Sequence, residues 1–481
     1  MAKDQTKIAK PQQEKLDPKV LKAVIILVIG SLAPLLDSTM VNVALKTITV
    51  DLKSTISAIQ WIITGYVLTM GLAVPVSGWA VNRFGAKRTY MFALLVFLAG
   101  SILSALSWNM DSLIVFRLLQ GVGAGLMLPT LQTIIVQIAG GRNLGRMMSY
   151  VSIPAVLGPI LGPVLGGIIV NGLNWRWIFY VNIPITMIAL FLSWWGLPAD
   201  QPSNNRPSLD IIGILLLSPA FAILIYGIAQ ISSHGGLHSS AVIVPLALGL
   251  FLMVGFIIYA LRTKISPVLD LHLFRSLPFS AASILLFLSG IVTNGAMLLL
   301  PLYYQQVRGE SVLDTGLLLI PQGVGMLLTR SWVGSLTDRI GSRLIVIISL
   351  GVTIIGTLPF AFAEVATHQF ILAAALLIRG AGIGGLLIPI MAAAYQGLNS
   401  DQVPQASIAT RILQTIGGAF GSAVLATVVE HQLSVRSISG VQTLSTAYNV
   451  AFAWSIGFTV IAIIPALLLP MSQNGLKTRT T

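Results

Sequence analysis

The chain has 481 residues, of which 55% are hydrophobic and 9% are charged, and its net charge at neutral pH is +13. Because a soluble domain normally carries about 25% charged residues, this composition excludes an ordinary soluble protein and predicts a protein of the lipid bilayer. The absence of cysteine excludes a disulfide framework, a cysteine-ligated zinc site and a thiol nucleophile.

Long apolar runs recur along the chain, and each is long enough to cross a bilayer about 30 Å thick. They predict fourteen transmembrane helices, at 20–45, 56–78, 88–107, 112–138, 147–170, 177–197, 210–231, 241–262, 279–304, 313–335, 343–364, 369–393, 406–430 and 447–470. Lys and Arg concentrate in the loops on the side of the N-terminus. The positive-inside rule therefore places both termini of a multi-pass plasma-membrane protein in the cytoplasm, and no nucleic-acid partner is expected.

The first predicted helix contains "LDSTMVNVAL", which places the carboxylate of Asp37 far from either end of an apolar run. A charged side chain near the bilayer centre costs about 2.5–3.5 kcal/mol. A carboxylate that binds a proton at one face and releases it at the other supplies the chemistry of a proton-coupled carrier, with Asn42 as a neighbouring polar group. The alternative is a neutral Asp37 that hydrogen-bonds Ser38, Thr39 or Asn42 for packing.

Two loops share one pattern: "GWAVNRFGAKR" after the second helix and "GSLTDRIGSRL" after the tenth. Glycine permits a sharp turn and close packing, and the basic residues hold the turn in the cytoplasm. The candidate gating residues are Gly78, Asn82, Arg83, Gly85, Lys87, Arg88, Gly334, Asp338, Arg339 and Gly341. The alternative is a turn that sets topology without a gating role.

The fourth helix contains "RLLQGVGAG", which places Arg117 roughly two turns inside the helix, with Gln120 on the same face. Such a residue should face the bundle interior and contact a polar partner, for which Gln120 and Asp37 are candidates. The alternative is that Arg117 reaches the outer interface. Arg379, in "RGAGIGG" of the twelfth helix, is predicted to be its counterpart, with a purely structural role as the alternative.

The fifth helix contains "GPILGPVLGG", in which glycines at four-residue spacing form a flat face for close helix packing. Prolines in the same run bend the helix, which a bundle tolerates. The residues concerned are Gly158, Pro159, Gly162, Pro163, Gly166 and Gly167. Ordinary helix packing is the alternative reading.

Related loops and glycine motifs in helices 1–6 and 9–14 predict two similar six-helix halves, an architecture typical of transporters. The predicted divisions are an N-terminal tail (1–19), the first half (20–197), a linker with inserted helices 7 and 8 (198–278), the second half (279–470) and a C-terminal tail (471–481). Trp61, Tyr66, Tyr303 and Tyr304 are candidate cavity aromatics, with interfacial or packing roles as the alternative.

Together and in order, these segments resemble the fourteen-span drug:proton antiporter branch of the major facilitator superfamily, as do "NWRWIFYVNIP" and "PVLDLHLF". The resemblance implies an all-helical carrier that exports amphiphilic, often cationic drugs in exchange for protons. It implies that Arg117 assists proton transfer and that the glycine face marks an antiporter. It also implies a loop that latches the halves through an Asp, where this chain has Asn82 in the first copy and Asp338 in the second.

The sequence does not predict an enzyme. His234 and His238 have no accompanying Glu on a helix, and no phosphate-binding loop is present. We expect no metal and no cofactor, the proton gradient as the driving force, and no obligate protein partner. An exporter of an endogenous metabolite or lipid with the same machinery is the alternative function. A receptor or scaffold would require a soluble output domain, which the sequence lacks.

Overall fold

The computed structural model describes residues 18–54, 56–139, 144–151, 153–200, 210–233, 239–263, 267–399, 402–435 and 441–471. The predicted tails lie almost entirely outside these residues, as do His234 and His238. The helices of the first half are α1 (Pro18–Asp51), α2 (Ile56–Phe84), α3 (Ala86–Ala105), α4 (Met110–Ala139), α5 (Leu144–Val151), α6 (Ile153–Gly172), α7 (Trp177–Tyr180) and α8 (Asn182–Gly196).

Two further helices, α9 (Ile211–Ser233) and α10 (Ser240–Arg262), precede the second half. That half comprises α11 (Leu277–Leu302), α12 (Val312–Leu318), α13 (Ile320–Ile340), α14 (Ser342–Ala361), α15 (Gln369–Tyr395), α16 (Val403–Val435), α17 (Val441–Ile461) and α18 (Ile463–Ala466). A short 3-10 helix, Leu271–Arg275, leads into α11, and a π-helical turn, Tyr303–Val307, follows it.

Among the described residues, twelve helices are long and apolar enough to cross a membrane. The two predicted spans without such a helix are the fifth and the tenth, which correspond to α6 and α13. Helix α13 carries Arg330, Asp338 and Arg339, which lower its apolar character. The prediction of an all-helical membrane protein is therefore confirmed, whereas the count of fourteen spans stays a prediction.

The two sets of helices pack in the same pattern. In the first, α2 and α3 lie against α4, α1 lies against α6, and α3 contacts α8. In the second, α13 and α14 lie against α15, α11 lies against α16, and α14 contacts α17. The internal repeat that the loop motifs indicate is thus present in the helix packing.

The register of this repeat corrects one prediction. Gly100 packs on Gln120, and at the equivalent place Gly356 packs on Arg379. Neighbouring contacts follow the same register, with Gly121–Tyr66 matching Gly380–Gln322 and Gly125–Met70 matching Gly384–Met326. Arg379 is therefore the counterpart of Gln120, and the prediction that it matches Arg117 is wrong. The glycines fix the alignment because they set how closely the helices approach.

Both repeated loops turn at a glycine with a positive φ angle, a backbone conformation that residues with a side chain rarely adopt. Gly85, between α2 and α3, has φ +97°, and Gly341, between α13 and α14, has φ +91°. At the first turn, Asp200 accepts hydrogen bonds from the backbone nitrogens of Lys87 (2.8 Å) and Arg88 (3.2 Å). A carboxylate at a helix N-terminus satisfies free N–H groups and the helix dipole, so Asp200 caps α3.

Gly85→Ala is expected to lower the free energy of unfolding by about 2–4 kcal/mol, because it adds backbone strain and displaces the cap. An added Cβ would lie 2.1 Å from Cγ of Asp200. The measurement is the thermal unfolding midpoint of the purified protein in detergent. Gly457→Ala is the matched control, since nothing lies within 4 Å of that Cβ position and alanine favours a helix. Equal midpoints for both variants would contradict the account.

The inserted helices differ in their surroundings. Helix α9 lies against α2 of the first half and α16 of the second, and the ring of Tyr226 on α9 stacks on Trp61 at 6.5 Å. Helix α10 packs on α9 and is mostly exposed, as expected of a lipid-facing helix. Helix α9 therefore covers the seam between the halves, with α10 outside it.

At the end of α1 remote from the two loops, Asp51 accepts hydrogen bonds from Nε1 of Trp175 (2.8 Å) and from Arg176 (3.1 Å). These bonds, the Trp175 bond foremost, hold the pKa of the Asp51 carboxyl below its ordinary value of 3.8. Because the pKa of Asp51 is lower in the folded than in the unfolded protein, ionised Asp51 stabilises the fold above about pH 3.8. This stabilisation is lost as the pH falls through the pKa of the folded protein. We expect Asp51→Asn to weaken the fall in thermal midpoint between about pH 5 and pH 3. An unchanged pH profile would contradict this.

Candidate functional site

Asp37 lies near the middle of α1 with no exposed surface, and three side chains from other helices surround it. Its Oδ2 lies 2.5 Å from Nη1 of Arg117 on α4. Its Oδ1 accepts hydrogen bonds from Gln120 on α4 (3.1 Å) and from Asn182 at the start of α8 (2.8 Å). Both carboxylate oxygens are thus bonded inside the first half.

Arg117 is buried as completely as Asp37, and its guanidinium makes further contacts. It donates to Oε1 of Gln120 (2.6 Å) and to the backbone oxygen of Ile62 (3.4 Å). The ring of Tyr66 on α2 lies under the guanidinium, 4.2 Å from its carbon. An arginine over an aromatic face gains a cation–π attraction, so Arg117 stays inside the bundle and does not reach the interface.

The network extends to α3, because Gln120 also donates to Oγ of Ser101 (2.8 Å). A buried ion pair needs satisfied hydrogen bonds, and removal of one partner leaves an uncompensated charge. Asp37 has no exposed surface, and the network joins its carboxylate on α1 to side chains of α4 and α8.

The structure brings together Asp37, Arg117, Gln120 and Tyr66 of the predicted residues. It does not bring in Asn42, which is exposed. Ser38 donates to the backbone of Leu35, so it is not a partner of the carboxylate. The sequence reasoning missed Asn182 and Ser101. Asn182 stands inside "NWRWIFYVNIP", and its position at a helix start in an apolar run was the available signal.

The glycine face of α6 packs on α1 beside Asp37. Thr39 donates to the backbone oxygen of Gly158 (3.1 Å), and a Cβ at Gly162 would overlap the Thr39 hydroxyl. Gly166 lies against the backbone of Met40, whereas nothing lies within 4 Å of the Cβ position at Gly167. The side chains of Pro159 and Pro163 lie outside the described part. The close approach of α6 confines the segment of α1 that carries the carboxylate.

A cavity of about 100 Å³ lies between the halves. Its wall is largely apolar, with Leu35, Leu128, Leu131, Leu387, Ile388 and Met391 among the lining residues. Its polar lining comprises Ser31, Gln132, Gln414 and the guanidinium-bearing Arg411 of α16. Drug-sized ligands need cavities of about 300–1,000 Å³, so the space between the halves must widen before it can enclose such a molecule.

The halves are closed at the end that bears the two repeated loops, here called the loop end. Asp338, which the sequence placed in the second loop but which lies in the last turn of α13, accepts a hydrogen bond from the backbone nitrogen of Arg146 at 3.2 Å. Thr133 bonds Ser407 at 3.1 Å. Both hydrogen bonds join a helix of the first half to one of the second, so Asp338 lies where a latch between the halves would act.

In the first copy of the motif, whose residues 78–83 lie in α2 and not in a loop, a glycine instead of a carboxylate contacts the other half. A Cβ at Gly78 would lie 2.6 Å from the side chain of Ile408 on α16. Nζ of Lys87 donates to the backbone oxygens of Trp194 (2.7 Å) and Leu197 (3.0 Å) at the end of α8. Arg83, Arg88 and Arg339 are exposed. The first loop therefore binds chiefly to its own half.

The predicted cavity aromatics divide into two groups. Tyr66 lies under Arg117, and Trp61 stacks on Tyr226. Tyr303 and Tyr304 are fully buried in the second half. They belong to an aromatic cluster, in which Tyr303 lies about 6 Å from the rings of Phe360, Tyr448 and Phe452. The prediction that these two tyrosines line the cavity is therefore not met in this conformation, because neighbouring rings fill the space around them.

Among the described residues, Arg379 in the second half has no carboxylate partner. Its guanidinium donates to Thr357 (3.1 Å), Gln322 (3.0 Å) and the backbone oxygen of Val292 (3.1 Å). The two halves thus differ in charge at matching places, with an ion pair in one and a neutral set of partners in the other. Among the described residues, no group of three or more His, Asp or Glu side chains could hold a metal ion.

A family model described as "Major Facilitator Superfamily" matches residues 27–422. The "Multidrug resistance protein B homolog" of Mycobacterium tuberculosis is 32% identical over 96% of this chain and 92% of its own length. The "Lincomycin resistance protein LmrB" of Bacillus subtilis is 27% identical over 94% of this chain and 96% of its own.

Solved structures have the same fold at low identity. The proton:xylose symporter XylE is 14% identical with a TM-score of 0.62, covering 92% of this chain and 96% of its own. The human organic anion transporter MFSD10 is 16% identical with the same TM-score, covering 92% of this chain and all of its own.

Proposed function

The chain belongs to the Major Facilitator Superfamily, and on that premise we propose that it is a proton-coupled antiporter that exports amphiphilic drugs or toxic compounds by alternating access. The multidrug and lincomycin resistance proteins among its relatives support export of such compounds. The observation that carries the proposal is the fully buried Asp37–Arg117 pair, whose partners come from several helices.

Protonation of Asp37 would remove one charge of the pair and release Arg117 to its remaining partners, Gln120 and the backbone of Ile62. Weaker attraction between α1 and α4 would then favour a different packing of the first half. When the proton leaves, the pair would form again and restore the first packing. The proton thereby selects between two conformations, which is the requirement for coupling.

The positive-inside rule assigns the loop end to the cytoplasm. Because the halves contact each other at that end through Asp338 and Ser407, we assign this conformation to the part of the cycle that is closed toward the cytoplasm. Asp37 would take its proton from outside and release it inside. Cationic amphiphiles remain a predicted substrate class, and pairing of a cation with Asp37 would require the Arg117 bond to open.

The second candidate, an exporter of an endogenous metabolite or lipid, is favoured by one observation, the guanidinium of Arg411 in the cavity wall. Resistance profiles of cells that express the chain separate the two candidates. Protection against several chemically unrelated dyes or biocides supports drug export, and protection against none supports the endogenous substrate.

The test of antiport uses the full chain reconstituted in vesicles. With the vesicle interior more acidic than the medium, we expect a fluorescent amphiphilic substrate to accumulate inside, and a protonophore that collapses the gradient should abolish the accumulation. Equal accumulation with and without the pH gradient would contradict proton coupling. Vesicles without protein correct for passive partition of the dye.

A further inference from the structure

Arg411 is a cation in the middle of the protein that the proton site does not use. It lies on α16 and lines the cavity between the halves, where its side chain is partly exposed. The structure gives its guanidinium no hydrogen bond to any other described residue. Arg117 and Arg379, by comparison, have all their contacts inside the helix packing.

None of the described residues that line the cavity is acidic. The polar groups that α1, α4 and α16 add to the lining are Ser31, Gln132 and Gln414, all of them neutral. Among the described residues, Tyr66 is a titratable neighbour of Arg411, and a tyrosine is neutral at pH 7. Asp37 is held by Arg117 and its amide partners. In the described part of the chain, the cavity therefore carries a net positive charge.

A guanidinium inside a membrane protein normally pairs with an anion or a backbone oxygen, because an isolated charge at this depth is costly. Its planar fork binds a carboxylate, sulfonate or phosphate through two parallel hydrogen bonds. The side-chain amides of Gln132 and Gln414 offer further donors to the same anion. Next to this polar corner stand the leucine and methionine side chains of the wall, which suit an apolar body.

Gln132 also links the corner to the closure of the halves. Its Oε1 accepts a hydrogen bond from the hydroxyl of Tyr395 at 3.4 Å, and Tyr395 bonds Ser407 at 3.2 Å. Ser407 in turn bonds Thr133 of the first half. An anion that draws the amide of Gln132 toward Arg411 would compete with these bonds, so binding and opening of the loop end would be connected.

We infer that Arg411 is the binding group for the acidic head of an amphiphilic substrate, so that this carrier takes anionic or zwitterionic amphiphiles in preference to purely cationic ones. The inference rests on the proposed export function and specifies its substrate class. Asp37 then serves the proton alone, and Arg411 serves the substrate at a separate place.

The test measures binding to the full chain in detergent by equilibrium dialysis, with no proton gradient, so its result does not depend on coupling. The probes are naphthalenesulfonate and naphthylmethylammonium, which share an aromatic body and carry opposite charges. We expect the chain to bind the sulfonate more tightly than the ammonium probe. Arg411→Gln should weaken sulfonate binding by about 10- to 100-fold, and Arg411→Lys, which keeps the charge, should lose less.

Arg275→Gln is the matched control, because it removes an exposed arginine from the 3-10 helix and should leave both affinities unchanged. Thermal midpoints identify variants that fail to fold. If Arg411→Gln fails to fold, the comparison of wild type with Arg411→Lys still decides the test. Equal binding of the sulfonate by wild type and Arg411→Gln, or tighter binding of the ammonium probe by wild type, would overturn the inference. If either of these binding results is found while the vesicle assay still shows proton-coupled accumulation, the proposed function is retained and only the inference about Arg411 fails.

A lipid head group is the other source of the same chemistry. Nanodiscs of phosphatidylcholine alone and nanodiscs with added phosphatidylglycerol distinguish the two sources. If phosphatidylglycerol weakens sulfonate binding to wild type but not to Arg411→Gln, the occupant is an acidic lipid. If phosphatidylglycerol does not weaken sulfonate binding to wild type, the occupant is a soluble anion. Equal competition in both proteins would overturn the assignment to Arg411.

Discussion

Asp37→Asn is expected to abolish accumulation of substrate driven by a pH gradient while leaving substrate binding in place. For an exchange of one proton per substrate molecule at zero membrane potential, a difference of one pH unit sustains a concentration ratio of up to about tenfold. The asparagine keeps the shape of the side chain and an oxygen that can accept the hydrogen bonds from Gln120 and Asn182. It carries no proton through the cycle. The ratio should therefore fall to about one, as measured by a dye uptake assay in vesicles.

Asp51→Asn is the matched control, because it makes the same change on the same helix outside the buried site. Asp51 contacts Trp175 and Arg176 near the surface and is half-exposed. Its variant should accumulate substrate at neutral pH as wild type does. Full accumulation by Asp37→Asn would assign Asp37 to packing, and loss in both variants would point to a general defect.

Arg117→Gln is expected to have the largest effect on stability. Removal of one partner from a buried ion pair costs about 3–5 kcal/mol, since the remaining charge loses its compensation. Arg117 also contacts Gln120, the backbone of Ile62 and the ring of Tyr66, so several helices lose a common neighbour. The measurement is the unfolding midpoint in detergent, together with transport in vesicles.

The double variant Asp37→Asn with Arg117→Gln completes a thermodynamic cycle. If the pair is charged, the two effects should not add, and the coupling should amount to about 1–3 kcal/mol. Arg176→Gln is the control, because its pair with Asp51 is partly exposed and such pairs contribute about 0–1 kcal/mol. Additive effects at Asp37 and Arg117 would contradict an energetically coupled pair.

Much of the fold was predictable because apolar run length and loop charge obey simple rules in a bilayer. The repeated loops predicted the internal repeat, and the structure shows the same turn geometry at Gly85 and Gly341. Arg117 with Gln120 and Asp37 was predictable because a charge in an apolar helix requires a polar partner.

Contacts between distant segments were harder to predict. Asn182 and Ser101 join the site through helix packing, which no spacing in the chain reveals. The alignment of Arg117 with Arg379 was wrong because matching residue types were preferred to the glycine spacing that follows them. Residue type makes Tyr303 a candidate for either the cavity or packing, and its burial among other rings favours packing. Arg411 drew no functional interpretation because its surroundings depend on how the two halves meet.

The most direct test of the account measures proton movement itself. Substrate is added to vesicles that contain wild type or Asp37→Asn, with equal pH on both sides and a pH-sensitive dye inside. The account predicts that wild type moves protons opposite to the substrate and that Asp37→Asn moves none, at equal expression and at a temperature at which both proteins are folded. Undiminished proton movement in the variant would contradict it and direct the search for the proton site to acidic residues at the ends of apolar helices, namely Asp210 before α9 and Glu430 near the end of α16.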